Sequence, residues 1–228
     1  MEQAEQYEMP FEHVKAKVYP ERKNNNRESY RERWWIYAEA RPGMRKAIAS
    51  LARYIATPRV SKHRVFVWQT PFVLCNDQTI VAARSDDYFF GVLHSHQHEI
   101  WARAQGTQLR EVESGFRYTP TSTFETYPFP WPPGHEPKDS PLVEAIAEAA
   151  RELVEKWDAW LNPPDASADE LKKRTLTNLY NARPSWLAEA HRKLDAAVFA
   201  AYGWQVTLTD GELLERLLAL NHERAGKQ

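Results

Sequence analysis

Asn162-Pro163-Pro164-Asp165, within WLNPPDA, supplies three residues of a four-residue pattern that works on DNA bases. Enzymes that methylate the exocyclic amine of adenine carry Asn-Pro-Pro followed by an aromatic residue. The Asn and nearby backbone accept hydrogen bonds from the amine, while the ring stacks on the flipped base. Asp165 cannot stack, and the eight glycines form no G-x-G loop for a phosphate or the methionine end of S-adenosylmethionine. Following Trp157, Trp160 and Leu161, the two prolines read as the stop of an amphipathic helix.

His94, His96 and His98 alternate in HSHQHE, which on a strand would place three imidazoles on one face, as a zinc or iron site needs. The apolar spacing of Phe89, Val92, Leu93 and Ile100 predicts a helix instead. At about 100° per residue, His96 then points away from His94 and His98. A small metalloprotein built on these three histidines stands as an alternative reading. His191 and Asp195 lie one helical turn apart, as a general base and its orienting carboxylate would, but no nucleophile accompanies them. Cys75, in an apolar run without basic neighbours, reads as an inert thiol.

Charge is unevenly spread despite a net value of −1. No carboxylate occurs from Ala40 to Asn76, a segment holding Arg41, Arg45, Lys46, Arg53, Arg59, Lys62, His63 and Arg64. Residues 135–170, by contrast, hold ten acids and three bases. Such asymmetry suits one surface that faces phosphate and another that does not. Arg59, Ser61, Lys62, His63 and Arg64 gather on the approach to an expected strand, where cations and a hydroxyl fit phosphate oxygens. Arg110, Glu111, Glu113 and Arg117 lie in a glycine-broken β segment. There Arg can grip the edge of guanine and Glu can accept from the cytosine amine.

The elements that must carry these groups are short in the middle of the chain and long at its end. Residues 1–30, punctuated by Pro10 and Pro20, read as a linker. Met44, Ile48, Leu51 and Ile55 predict a helix over 41–56, ended by Pro58. Residues 63–69, 72–75 and 79–83 read as strands, the last two as a hairpin about Asn76-Asp77-Gln78. One helix is expected over 86–106. Five prolines in residues 128–137 mark a boundary. Beyond it, Val143, Ile146, Ala150, Leu153, Trp157 and Trp160 form one helical stripe, and 168–181, 184–202 and 209–224 read as further helices. The expected class is α+β: a mixed domain of short strands and helices, then an all-helical C-terminal region. With one cysteine, no apolar run of the ~20 residues needed to span a bilayer, and a polar N-terminus, a cytoplasmic protein is expected.

The chain resembles the C-terminal part of MmeI-like type IIL (type IIG) restriction–modification enzymes, which methylate adenine. The segments that carry the resemblance include PFEHVKAKVYPER, RYIATPRVSKHRVFVW, DDYFFGVLHSHQHEIWA, FRYTPTSTFETYPFPWP and KRTLTNLYNARPSWLAEAHRKLDAAVFAAYGW, in order over roughly residues 10–225. The resemblance implies a linker from a catalytic core (1–30), a DNA target recognition domain (31–132) and a helical spacer or C-terminal domain (133–228). It implies backbone contacts from Arg59, Ser61, Lys62, His63 and Arg64. Base selection would fall to Arg110, Glu111, Glu113, Arg117 and Tyr118. The partners it implies are double-stranded DNA and a methyltransferase core, covalent or separate, with no membrane involved. S-adenosylmethionine belongs to that core; no cofactor, metal or catalytic residue is expected in this chain, which should not methylate DNA alone. A protein–protein scaffold built on the acidic helices is the remaining alternative.

Overall fold

The computed structural model describes residues 1–37, 40–108 and 115–226. Contacts divide the chain into two compact units, Met1–Ala47 and Ile48–Gln228. The first holds four short helices, α1 (Glu2–Glu5), α2 (Glu8–Lys17), α3 (Tyr19–Arg22) and α4 (Glu28–Glu32), and most of α5 (Pro42–Ile48). Its small core is aromatic. Phe11 and Tyr19 lie 5.6 and 5.0 Å from the Trp34 ring, and Arg22 Nη1 donates to the Trp34 carbonyl at 3.0 Å.

The second unit contains two three-stranded antiparallel sheets and a helical layer. The first sheet has the order β3 (Val67–Gln69), β1 (Tyr54–Pro58), β4 (Thr79–Ala82). Register explains its stability: Ile55 sits opposite Trp68 and Ala82, while Ala56 sits opposite Val67 and Val81. With a side-chain period of two, the Ile55 row joins the main core and the Tyr54–Ala56 row joins Ile48 and Leu51. The second sheet is thinner, with the order β2 (Val60–Ser61), β6 (Phe116–Arg117), β5 (Thr107–Gln108).

These sheets correct two expectations. Helix α5 ends at Ile48, and Tyr54–Pro58 forms the central strand of the first sheet. Ile48 and Leu51 do pack, but against strand residues, because aromatic and β-branched side chains at Tyr54, Ile55 and Thr57 fit a pleated surface better than a helix. Phe72–Cys75 forms no strand and no hairpin with 79–83. β1 lies between β3 and β4, so residues 70–78 must cross from one edge of the sheet to the other. The turn at Asn76 does form, its Oδ1 accepting from Gln78 N at 3.0 Å.

The helical layer begins with α6 (Asp87–His94), capped by Asp86 Oδ1 accepting from Phe89 N at 2.8 Å. The single helix expected over 86–106 is broken at Ser95, whose backbone is extended (ψ 154°). Ser95 Oγ donates to Val92 O at 2.7 Å and accepts from His98 N at 3.3 Å, so the hydroxyl ends α6 and caps α7 (His96–Gln105). A π turn, Pro120–Phe124, follows β6. Helix α8 (Pro141–Leu161) buries Ile146, Ala150, Leu153 and Trp157 of the expected stripe. It approaches α6 closely because residue 91 is glycine: a Cβ there would stand 2.8 Å from Ile146 Cγ2. Helices α9 (Ala168–Lys173), α10 (Leu176–Ala182), α11 (Ser185–Tyr202) and α12 (Asp210–Ala225) complete the layer. Capping boxes Ser167/Glu170 and Thr209/Glu212 start α9 and α12. The fold is α+β with a helical C-terminal region, and among the described residues no helix is long and apolar enough to cross a membrane.

Candidate nucleic-acid interface

The two sheets meet at Arg59. Its backbone N–H donates to Gln78 O beside the first sheet, and its carbonyl accepts from Tyr118 N beside the second, both at 2.8 Å. The chain then passes through β2 into a tight corner in which Ser61 Oγ donates to His63 O at 2.7 Å. Lys62 is exposed at this corner; Arg59, Ser61 and His63 are half-buried. Across the ladder, Val60 pairs with Arg117 and Ser61 with Phe116, so a loop and a strand more than fifty residues apart in sequence share one sheet. Phe116 points inward and Arg117 outward.

Gly115 permits this closeness. Its φ is +84°, and a Cβ would fall 1.9 Å from Ser61 O, well inside contact distance. Only glycine fits both the backbone conformation and the space.

Arg64 differs from its basic neighbours in being only 6% exposed. Its Nη1 donates to Thr57 Oγ1 at 3.1 Å and to the Pro58 carbonyl, and Nη2 donates to Phe116 O at 3.2 Å. The guanidinium lies 4.8 and 5.0 Å from the Phe116 and Tyr118 ring centres. Burial pulls its pKa down to about 10, which leaves it charged at neutral pH. Its three acceptors lie on β1 and β6, so this cation is turned away from solvent and braces the first sheet against the second. Tyr118, expected among the base-selecting residues, is 1% exposed, with its hydroxyl 3.0 Å from His98 Nε2. Arg110, Glu111 and Glu113 lie outside the described residues.

The histidine run resolves into three separate roles. His94 Nε2 sits 2.9 Å from Phe66 N and 2.8 Å from Phe66 O. His98 donates from Nδ1 to Leu93 O at 2.8 Å, which leaves Nε2 to accept from Tyr118. Burial depresses both imidazoles, His94 to about 3 and His98 to about 4, so they are neutral in the fold. His96 faces outward, its Nε2 2.8 Å from Asp210 Oδ1. With three different partners the imidazoles do not converge, and among the described residues no group of three His, Cys, Asp or Glu is placed to hold a metal ion.

His63 connects the basic corner to the helical region, its Nε2 lying 2.8 Å from Asn181 Oδ1 on α10. Beside this contact lies a polar cavity of about 210 Å³, lined by His63, Arg64, Glu99, Arg103, Arg183 and His191 among others. Sequence reading missed Arg103, Asn181 and Arg183 as neighbours of the corner. The one local trace is at Arg183, a non-glycine residue with φ of +41° before Pro184. His191 and Asp195 do not act on each other: His191 Nε2 is 2.8 Å from Tyr180 Oη, and Asp195 Oδ1 accepts from His96 N at 2.7 Å. Burial raises the Asp195 carboxyl to about 6. Asn162 and Asp165 are exposed at the end of α8, where Asn162 N donates to Asp158 O at 2.9 Å.

No protein-family model and no curated protein matches the chain. Among solved structures, the chain is similar to the type IIL restriction-modification enzyme MmeI, determined in complex with DNA. The TM-score is 0.67 at 23% identity, over 92% of this chain and 26% of that one. The likeness is one of fold, and the chain spans about a quarter of the MmeI length.

Proposed function

We propose that this protein recognises duplex DNA in a sequence-specific manner on behalf of an adenine-specific DNA methyltransferase of a restriction–modification system. The observation that supports this reading is the second sheet, in which Val60, next to the corner that exposes Lys62, pairs with the exposed Arg117. The fold shared with MmeI, solved with DNA bound, supports it. Lys62 and Arg59 supply the cations for phosphate oxygens, with Ser61 and His63 shaping the corner. Arg117 and the segment holding Arg110, Glu111 and Glu113 supply donors and acceptors for base edges. On this reading residues 31–132 are the recognition domain and residues 133–228 a helical spacer or C-terminal domain. A methyltransferase core, in the same chain or a separate one, brings S-adenosylmethionine and the base-flipping pocket. No methyl-transfer step is assigned to residues of this chain.

Fluorescence anisotropy of a labelled mixed-sequence duplex, titrated at about 50 and 200 mM salt, tests the reading, since counterion release predicts a steep loss of affinity with salt. Lys62→Glu should weaken binding to every duplex. Arg117→Ala should alter preference at one base position by about tenfold or more, equivalent to ~1–3 kcal/mol. Uniform weakening by both would remove Arg117 from base reading. Absence of salt-sensitive binding by the full chain would remove the DNA reading itself.

A further inference from the structure

The polar cavity of about 210 Å³ beside the basic corner takes no part in the contacts assigned to Lys62 and Arg117. Three guanidiniums line it, each from a different element: Arg64 from the loop after β2, Arg103 from α7 and Arg183 from the C-terminal cap of α10. Two carboxylates share its wall, Glu99 on α7 and Asp195 on α11. The space has room for several waters or for one small polyatomic ligand.

Both carboxylates are already engaged. Glu99 Oε1 accepts from Arg103 Nε at 2.9 Å and from Nη2 at 2.6 Å, and Asp195 Oδ1 accepts from His96 N at 2.7 Å. The cations retain capacity. Arg183 makes no side-chain hydrogen bond or ion pair among the described residues, while its charge acts on His191 and Asp195 in the cavity wall. Arg64 Nε is buried without an acceptor, and such a donor is costly until one reaches it. Arg64 and Arg103 lie 4.8 and 5.1 Å from the centre of the same Phe116 ring, so two like charges are held close together. An anion between them relieves that repulsion. His94 and His191, neutral through burial at about 3 and 4, add ring nitrogens to the wall but no charge.

Guanidiniums from separate elements around one space match a ligand with several anionic oxygens, and their paired N–H groups fit phosphate in particular. We infer that this cavity is a phosphate-binding site, in which Arg183 and Arg103 hold the phosphate oxygens and Arg64 makes the inner wall positive. Glu99 is the competitor for Arg103. Its side chain is 40% exposed, so it can turn outward and yield the guanidinium to the ligand. A backbone phosphate of DNA and a free phosphate ligand offer the same oxygens, so the site stands independently of the DNA-binding reading above.

The test is isothermal titration calorimetry of the full chain with inorganic phosphate, against chloride at equal ionic strength. Wild-type protein should show saturable binding at one site. Arg183→Gln should weaken it by about tenfold or more, as loss of a hydrogen bond to a charged group does. Glu99→Gln should tighten it several-fold, because Arg103 is released from its carboxylate. Lys172→Ala, on α9 and outside the cavity, should leave it unchanged. Melting temperatures of all three variants should stay near that of wild type, since the altered contacts are at the surface. Absence of saturable binding by wild type, or binding that Arg183→Gln leaves intact, overturns the site. A labelled mixed-sequence duplex then identifies the source of the phosphate. If phosphate at constant ionic strength displaces the duplex from wild type, the occupant is a DNA backbone phosphate; if both bind together, it is a free ligand. A chain that binds phosphate and no duplex keeps the site and removes the functional reading.

Discussion

The two small sheets of the second unit solve one problem in different ways. The first is stabilised by its side-chain pattern: Ile55 and its neighbours turn to the main core, Tyr54 and Ala56 turn to Ile48, and both faces are covered. The second has strands of two described residues each and depends on individual polar devices: the Arg64 brace, the missing Cβ at Gly115 and the Tyr118–His98 hydrogen bond. A sheet held by packing tolerates many substitutions of similar volume, whereas one held by single contacts does not. The second sheet is also the one that carries the outward-facing Lys62 and Arg117.

Acid should separate the two sheets most strongly. His94, His98 and His191 are held at about 3, 4 and 4 by burial, against an ordinary 6.5. In the unfolded chain they take up protons near 6.5, so their contribution is complete above that pH and is lost as pH falls toward 4. Asp195, raised to about 6 from 3.8, acts in the opposite sense: its contribution is present below about 4 and lost as pH rises through 6. Three imidazoles against one carboxyl leave a net loss on acidification. A proton on His98 Nε2 also removes the acceptor for Tyr118. Hydrogen exchange followed from neutral pH to about 4 should therefore show Phe116 and Tyr118 amides losing protection before Ile55 and Ala56. Simultaneous loss would erase the distinction between the sheets.

Gly115→Ala comes next, at about 3 kcal/mol by denaturant unfolding, combining a left-handed backbone with a blocked Cβ. The second sheet should lose protection while the first keeps it. Arg64→Met should follow at about 2 kcal/mol, because Thr57 Oγ1 and the carbonyls of Pro58 and Phe116 lose their donor. Lys62→Ala should change stability by less than about 0.5 kcal/mol. Equal stability effects at positions 62 and 64 would mean that burial does not separate brace from contact.

Much of the helical layer was legible because its signals are local. The stripe from Val143 to Trp160 and the caps at Ser167 and Thr209 lie within a few turns of the residues they organise. Strand β1 was not legible, since Ile48, Leu51 and Ile55 fit a helical period while packing as one helix end and one strand. The split of α6 from α7 turns on one serine hydroxyl, which competes with a helix that propensity alone would continue. Within the candidate site, the basic run was visible but the burial of Arg64 was not. Its acceptor Phe116 is 52 residues away, and charge along a chain does not say which guanidinium faces inward. The tie from His63 to Asn181 spans 118 residues and leaves no trace in composition.

The ladder between β5 and β6 has a consequence for redesign. Thr107 pairs with Arg117 and Gln108 with Phe116, so the ladder holds Gln108 and Phe116 side by side on either side of the intervening segment. Lengthening a connection between fixed ends costs little, about 0.6 kcal/mol for each doubling. Residues 109–114 can therefore be treated as an exchangeable cassette. With Gly115, Arg64 and the ladder kept, libraries that vary its length and composition should yield folded proteins at high frequency, leaving selection to act on which DNA they prefer.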